Sequence, residues 1–232
     1  MKAYLVTGGS RGIGAAVCRR LAARADDRVL CVYNKSRAAA EALAAQFPNI
    51  TPIQADVTSP ESIERAFSAV TELDGLALCA GEALSGLFQD MASRWRAHFD
   101  VNFGGAVSVL ERAVPILVRQ KSGSVVLVSS VHGVHGASCE SIYSAGKSAI
   151  IGLGKSLAKE LGPSGVRVNI AAPGWIDTDM TAAFSAEERR VFAQNETSLG
   201  RTGTADEAAE VIAFLLSDAA SYMTGQVVEI SG

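Results

Sequence analysis

Residues 3–14 read Ala3-Tyr4-Leu5-Val6-Thr7-Gly8-Gly9-Ser10-Arg11-Gly12-Ile13-Gly14. An apolar run of strand length stops at a cluster of glycines, and helical periodicity over 13–25 follows at once. Glycines at 8, 12 and 14 permit a tight turn, close approach of a diphosphate, and close packing of helix on sheet. The start of the helix offers unpaired N–H groups and the positive end of its dipole to phosphates. The spacing is G-x-x-x-G-x-G rather than G-x-G-x-x-G. Following the first strand of an alternating chain, it is read as a dinucleotide site, with Ser10, Arg11 and Ile13 completing the turn.

Outward from that turn, strands are expected at Ala3–Thr7, Arg28–Tyr33, Ile50–Ala55, Gly75–Ala80, Ser124–Ser129, Val166–Ala171 and Gln226–Ile230. They are rich in Val, Leu and Ile without clean alternation, as strands buried on both faces should be. Helices are expected around 36–46, 60–72, 92–119, 142–162 and 205–217. Ser59-Pro60-Glu61 places a capping serine before a first-turn proline and an acidic residue, and Gly162-Pro163 ends the long helix that starts near Tyr143. The expected fold is α/β: one doubly wound, mostly parallel, seven-stranded sheet with helices on both faces, Rossmann-type, in a single domain over 1–232. Ile176–Gly203 has no evident place in that layering, and its portion near 178–200 is a candidate substrate lid.

Composition narrows the function. The 232 residues are 48% hydrophobic and 19% charged, with a net charge of −3. Nucleic acid would call for a basic face, and the apolar content excludes disorder. Cys18, Cys31, Cys79 and Cys139 form no Cys-x-x-Cys pair and fit a reducing compartment. The chain meets a glycine turn at Gly8 before a signal-peptide core could form, and apolar stretches are interrupted by glycines or charges. A soluble cytoplasmic protein, with no membrane span, is expected.

Three other motifs compete and lose. Gly8-x-Ser10-x-Gly12 matches a hydrolase nucleophile elbow, but His98, His132 and His135 do not follow a late strand as that chemistry requires. Ala145-Gly146-Lys147-Ser148 resembles the tail of a P-loop, yet Ser141 stands where its first glycine belongs, and the segment reads as helix. His132-x-x-His135 lacks a convincing third ligand, with Glu140 the nearest, so no metal is expected.

The chemistry is read at Ser130, Tyr143 and Lys147. Ser130 follows a strand where the sheet should meet its ligand crevice, and Tyr143 and Lys147 share a helix face. A nearby lysine is expected to lower the tyrosine pKa. With the glycine turn, this set resembles the short-chain dehydrogenase/reductase family over the whole chain. Asp56-Val57 matches the family's adenine-contacting pair, Ala80-Gly81 the end of its Asn-Asn-Ala-Gly motif, and Asn102 its fourth catalytic position. Pro173-Gly174-Trp175-Ile176-Asp177-Thr178 matches the segment flanking the nicotinamide. Leu78-Cys79 replaces two asparagines that brace the sheet in the family, and the segment between Asp56 and Gly81 is a little short.

The resemblance implies hydride transfer to a ketone. Tyr143 would donate the proton, Ser130 would hydrogen-bond the carbonyl oxygen, Lys147 would bind the nicotinamide ribose, and Asn102 would hold a relay water. Pro173–Thr181 and the tail from Gly200 look most like 3-oxoacyl-[acyl-carrier-protein] reductases, which implies an acyl thioester, possession of a carrier-protein partner, and a homotetramer. Another ketone in a general carbonyl reductase is the alternative. NADP(H) is expected because Asn34-Lys35-Ser36-Arg37 closes the second strand without a carboxylate, and Arg11 and Arg37 could clamp a 2′-phosphate. Lys121 is expected near the crevice as a docking cation, while Ser164 stands where the family has a second. The candidate lid carries Met180, Ala182, Ala183 and Phe184 on an expected apolar side, then Glu187-Glu188-Arg189-Arg190.

Overall fold

The computed structural model describes residues 1–181 and 185–232. Seven strands form one parallel sheet: β1 (Ala3–Thr7), β2 (Arg28–Tyr33), β3 (Ile50–Gln54), β4 (Gly75–Leu78), β5 (Gly123–Val128), β6 (Val166–Pro173) and, below, β9 (Val227–Ile230). Their order is β3-β2-β1-β4-β5-β6-β9, so the chain reverses its direction of travel between β1 and β4. A crevice opens there, beyond the carboxyl ends of the strands.

Alternate residues of each strand feed two cores. Tyr4, Val6, Val29, Cys31, Ala77 and Val126 pack with α1 (Gly12–Ala22), α2 (Arg37–Gln46) and α10 (Ala205–Leu216). Leu5, Leu30, Val32, Leu76, Val125 and Leu127 pack with α3 (Pro60–Phe67), α6 (Gly105–Gln120) and α8 (Ser141–Leu161) on the other face. That double burial explains the near-continuous apolar runs of the sequence. Ser59 caps α3 as expected, accepting from the Ser62 N–H at 3.2 Å.

The expected helix over 92–119 lies within one helical run, Phe88–Gln120, whose winding varies along its length. It runs as α4 (Phe88–Met91), a 3₁₀ turn over Ala92–Arg94, α5 (Trp95–Phe99), a π turn over Asp100–Gly104, and then α6. Gly105 starts α6 where a Cβ would stand 2.6 Å from Val57 Cγ2, so the run passes close against the loop after β3 at that point. By length and composition the run Phe88–Gln120 could cross a bilayer. Its apolar face instead covers the sheet, through Val109, Leu110, Ala113, Ile116 and Leu117.

The segment without an expected layer adds two short strands, β7 (Ile176–Asp177) and β8 (Gly203–Thr204), paired in parallel. Between them lies α9 (Ala186–Glu196), opened by a reciprocal capping box between Ser185 and Glu188. Ala182, Ala183 and Phe184 of the candidate lid lie outside the described residues. A short helix, α7 (Val131–His135), follows β5 and was not anticipated.

Candidate active site

A cavity of about 660 Å³ occupies the crevice. One end is formed by Tyr33, Asn34, Lys35 and Ser36 after β2 and by Asp56 and Val57 after β3; the other by Ser130, Tyr143, Lys147 and Thr178. Between them runs the glycine turn. Gly8 and Gly12 take φ of +63° and +51°, the left-handed region in which a side chain is strained. A Cβ on Gly14 would collide with the Gly8 carbonyl oxygen. Arg11, at the N-cap of α1, makes no side-chain capping bond, and Gly12, Ile13 and Gly14 line the cavity. Their first-turn N–H groups thus offer an anion-binding site at the cavity, and the donors there suit the phosphates of a dinucleotide.

Of the residues read from the sequence as catalytic or cofactor-binding, all but Arg37 and Asn102 line this cavity. Arg37 does not: its guanidinium donates to Gln54 Oε1 at 2.9 Å and lies 3.7 Å from Glu41. Neutral and anionic partners on its own side hold it away. Asn102 is 2% exposed behind the wall, where its amide bonds the backbone of Glu82. Cys79 and Met180 of the candidate lid line it too, and wall residues that the sequence reading did not single out include Thr58, Glu82, Ala83 and Val101. Their types carried no chemical signal, although most directly adjoin expected ones. In place of the two asparagines, Leu78 enters the core while Cys79 faces the cavity with burial pushing its thiol up to about 12. The Thr7 hydroxyl braces this point, accepting from the Ala80 N–H at 3.1 Å.

The catalytic cluster corrects one expectation. Burial raises the Tyr143 pKa, Ser130's hydrogen bond pulls it down, and Glu140 raises it further; the lysine does not dominate. Lys147 Nζ lies 5.8 Å from the tyrosine ring centroid and donates to the Val128 carbonyl at 3.1 Å. Burial lowers the lysine itself to about 8. Tyr143 is therefore a protonated phenol at neutral pH, equipped to give a proton, beside a cation held in the interior.

One further expectation changes, and it concerns Lys121 rather than the histidines. His132 and His135 do not converge, since each is engaged at 2.6 Å by a different carboxylate, Glu140 and Glu229 respectively. Lys121 is not at the mouth. It closes α6 just before β5 begins, and Ser164 likewise precedes β6. Every strand of the sheet runs the same way, so both lie at the amino edge, opposite the cavity.

A family model described as enoyl-(acyl carrier protein) reductase matches residues 8–232. The chain is 37% identical to the uncharacterized oxidoreductase YmfI of Bacillus subtilis (strain 168), over 100% of this chain and 98% of that protein. It is also 37% identical to the 3-oxoacyl-[acyl-carrier-protein] reductase FabG of Aquifex aeolicus, over 100% of this chain and 96% of that one. Among solved structures, a short-chain type dehydrogenase/reductase from Mycobacterium ulcerans aligns with a TM-score of 0.89 at 35% identity, over 99% of this chain and 88% of its own.

Proposed function

The chain belongs to the short-chain dehydrogenase/reductase family and is an oxidoreductase, and we propose that it reduces a 3-oxoacyl thioester to the 3-hydroxyacyl form with NADPH. The observation that carries this reading is the convergence of Ser130, Tyr143 and buried Lys147 at one end of a cavity whose middle is an uncapped helix start. A bound nicotinamide supplies the hydride. Tyr143 gives its proton to the substrate carbonyl oxygen, and Ser130 hydrogen-bonds the same oxygen as negative charge develops on it. Lys147 holds positive charge close by, which lowers the cost of leaving a phenolate behind. It also binds the nicotinamide ribose, and Asn102 behind it supports proton resupply.

NADPH is favoured over NADH by charge. Lys35 and Arg11 line the cavity, and no carboxylate closes β2. Asp56 at that end is already occupied, accepting from the Thr58 N–H at 2.9 Å and the Thr58 hydroxyl at 2.7 Å. The thioester is favoured by relatives named 3-oxoacyl-[acyl-carrier-protein] reductases, at 34–37% identity over the whole chain. A carrier protein holding the acyl thioester is the proposed partner, but Lys121 would not meet it at this protomer's own mouth. A homotetramer is part of the same proposal, on the family resemblance alone. The deciding experiment compares kcat/KM with NADPH and NADH for acetoacetyl thioesters, free and carrier-bound, against simple ketones. No preference for the thioester moves the protein to a general carbonyl reductase; equal use of both cofactors removes the NADPH assignment.

A further inference from the structure

Both arginines that the sequence offers to a 2′-phosphate are already paired with carboxylates. Arg37 lies 3.7 Å from Glu41 on its own helix and does not line the cavity. Arg11 does line it, and its Nη1 stands 3.8 Å from Asp179 Oδ2. Nothing in the mechanism above uses Asp179. It is also a wall residue, one position beyond Thr178 and so at the catalytic end, whereas Asn34, Lys35 and Ser36 form the other end. Arg11 belongs to the glycine turn between the two, and its guanidinium is drawn toward the catalytic end.

A turn places that carboxylate. The Thr181 N–H donates to the Thr178 carbonyl at 3.0 Å, and the Thr181 hydroxyl accepts from the Thr178 N–H at 3.0 Å. The same hydroxyl has the Ile176 and Thr178 carbonyls at 3.1 and 3.0 Å as acceptors for its one hydrogen. Asp179 is the second residue of this four-residue turn. The turn sits against the glycine loop, since a Cβ on Gly12 would stand 3.4 Å from Thr178 Cγ2. Arg11 and Asp179 therefore extend from two backbone segments that touch, beside the helix start that suits a diphosphate.

Resting on the NADPH reading, we propose that Asp179 is a specificity-determining residue for the cofactor: its carboxylate holds the Arg11 guanidinium toward the catalytic end of the cavity, and a 2′-phosphate must take the guanidinium from it. The ribose that carries the 2′-phosphate belongs at the end where β2 closes. The two anions thus stand at opposite ends, and one planar guanidinium cannot serve both. A nucleotide with a free 2′-hydroxyl makes no such claim on Arg11 and loses nothing to Asp179. Both side chains are largely exposed, so the competition is worth a small factor and not an on–off switch. Asp179 sets the margin by which NADPH is preferred, while the glycine turn binds either dinucleotide.

The test is direct binding to the whole chain, with NADPH and NADH titrated by nicotinamide fluorescence. Asp179→Asn should raise the affinity for NADPH relative to NADH by about two- to fivefold over wild type. That gain should shrink in ~0.5 M salt, which screens an exposed pair. Asp179→Glu keeps the charge and should stay near wild type. Arg11→Gln should lower the ratio, and adding Asp179→Asn to it should then change nothing, because Asp179 acts through Arg11. An unchanged or smaller ratio in Asp179→Asn overturns the proposal. So does an equal rise in the Arg11→Gln background, which would mean plain repulsion between Asp179 and the phosphate. Binding needs no turnover, so the two readings fail separately: a wild type that binds NADH as tightly as NADPH defeats the NADPH assignment, while the shift on Asp179→Asn still judges the role of Asp179.

Discussion

Replacing Lys147 with methionine should abolish turnover and make the cofactor-free protein more stable. The side chain is 6% exposed, and its ammonium donates to the Val128 carbonyl at 3.1 Å. Burial lowers its pKa from 10.5 to about 8. At ~1.4 kcal/mol per unit, carrying that charge inside the fold costs about 3 kcal/mol at neutral pH. Methionine fills a similar unbranched volume without charge, but it leaves the Val128 carbonyl short of a donor, which returns about 1–2 kcal/mol of the gain. A net gain of about 1–2 kcal/mol corresponds to a Tm rise of roughly 2–8 °C for a chain of this size. The gain should depend on pH in one direction. Because the folded pKa is depressed, the unfolded chain holds more protons between about 8 and 10.5, so wild type recovers stability relative to the variant across that window. Below it the difference is full. Calorimetry on both proteins at about pH 7 and again near pH 9.5 measures the effect. A lower Tm for the variant at neutral pH, or a difference that ignores pH, would refute the claim that the active site holds a costly buried charge.

Tyr143→Phe should lower kcat by about 10²–10⁴-fold while cofactor affinity, followed by nicotinamide fluorescence, stays near wild type; retention of most activity means another acid. Gly14→Ala should destabilise the protein by about 1–3 kcal/mol in denaturant titrations and weaken cofactor binding, because the new Cβ meets the Gly8 carbonyl, which is backbone and cannot swing aside. Lys35→Glu should turn the kcat/KM ratio from NADPH toward NADH, since it puts a carboxylate where β2 ends. An unchanged ratio would place phosphate recognition elsewhere.

The sheet and its glycine turn were legible because their cause is local and repeated. A parallel strand covered on both faces must be apolar at nearly every position, and the expected strand limits stand within two residues of those observed. The helix over 92–119 shows what periodicity misses. A side-chain pattern records which face is buried but not a local change of winding such as the π turn over Asp100–Gly104. The spacing of Tyr143 and Lys147 put them on one face, yet could not tell that burial would outweigh their mutual electrostatics. Arg37 opens α2 as expected, but Gln54 arrives from another strand and takes its guanidinium. Lys121 could have been placed correctly from the outset, since a residue that precedes a parallel strand lies at the edge opposite the crevice.

The two edges of the sheet solve opposite problems. At the amino edge, side chains satisfy the backbone where strands begin. Asn49 Nδ2 reaches the carbonyls of Ala22, Arg24 and Asp27 at 2.8–3.0 Å. Gln120 bonds both the N–H and the C=O of Leu73 at 2.9 Å, and Asp74 accepts from the Ala3 N–H at 2.7 Å. At the carboxyl edge the same chain leaves the start of α1 without a side-chain cap, holds Gly8 and Gly12 at positive φ, and buries an ammonium. Each of these is unfavourable for the chain alone and useful to an anionic, hydride-bearing ligand that would bridge them. The crevice opens where the chain reverses between β1 and β4, and the groups left unpaired there are the ones a ligand can complete.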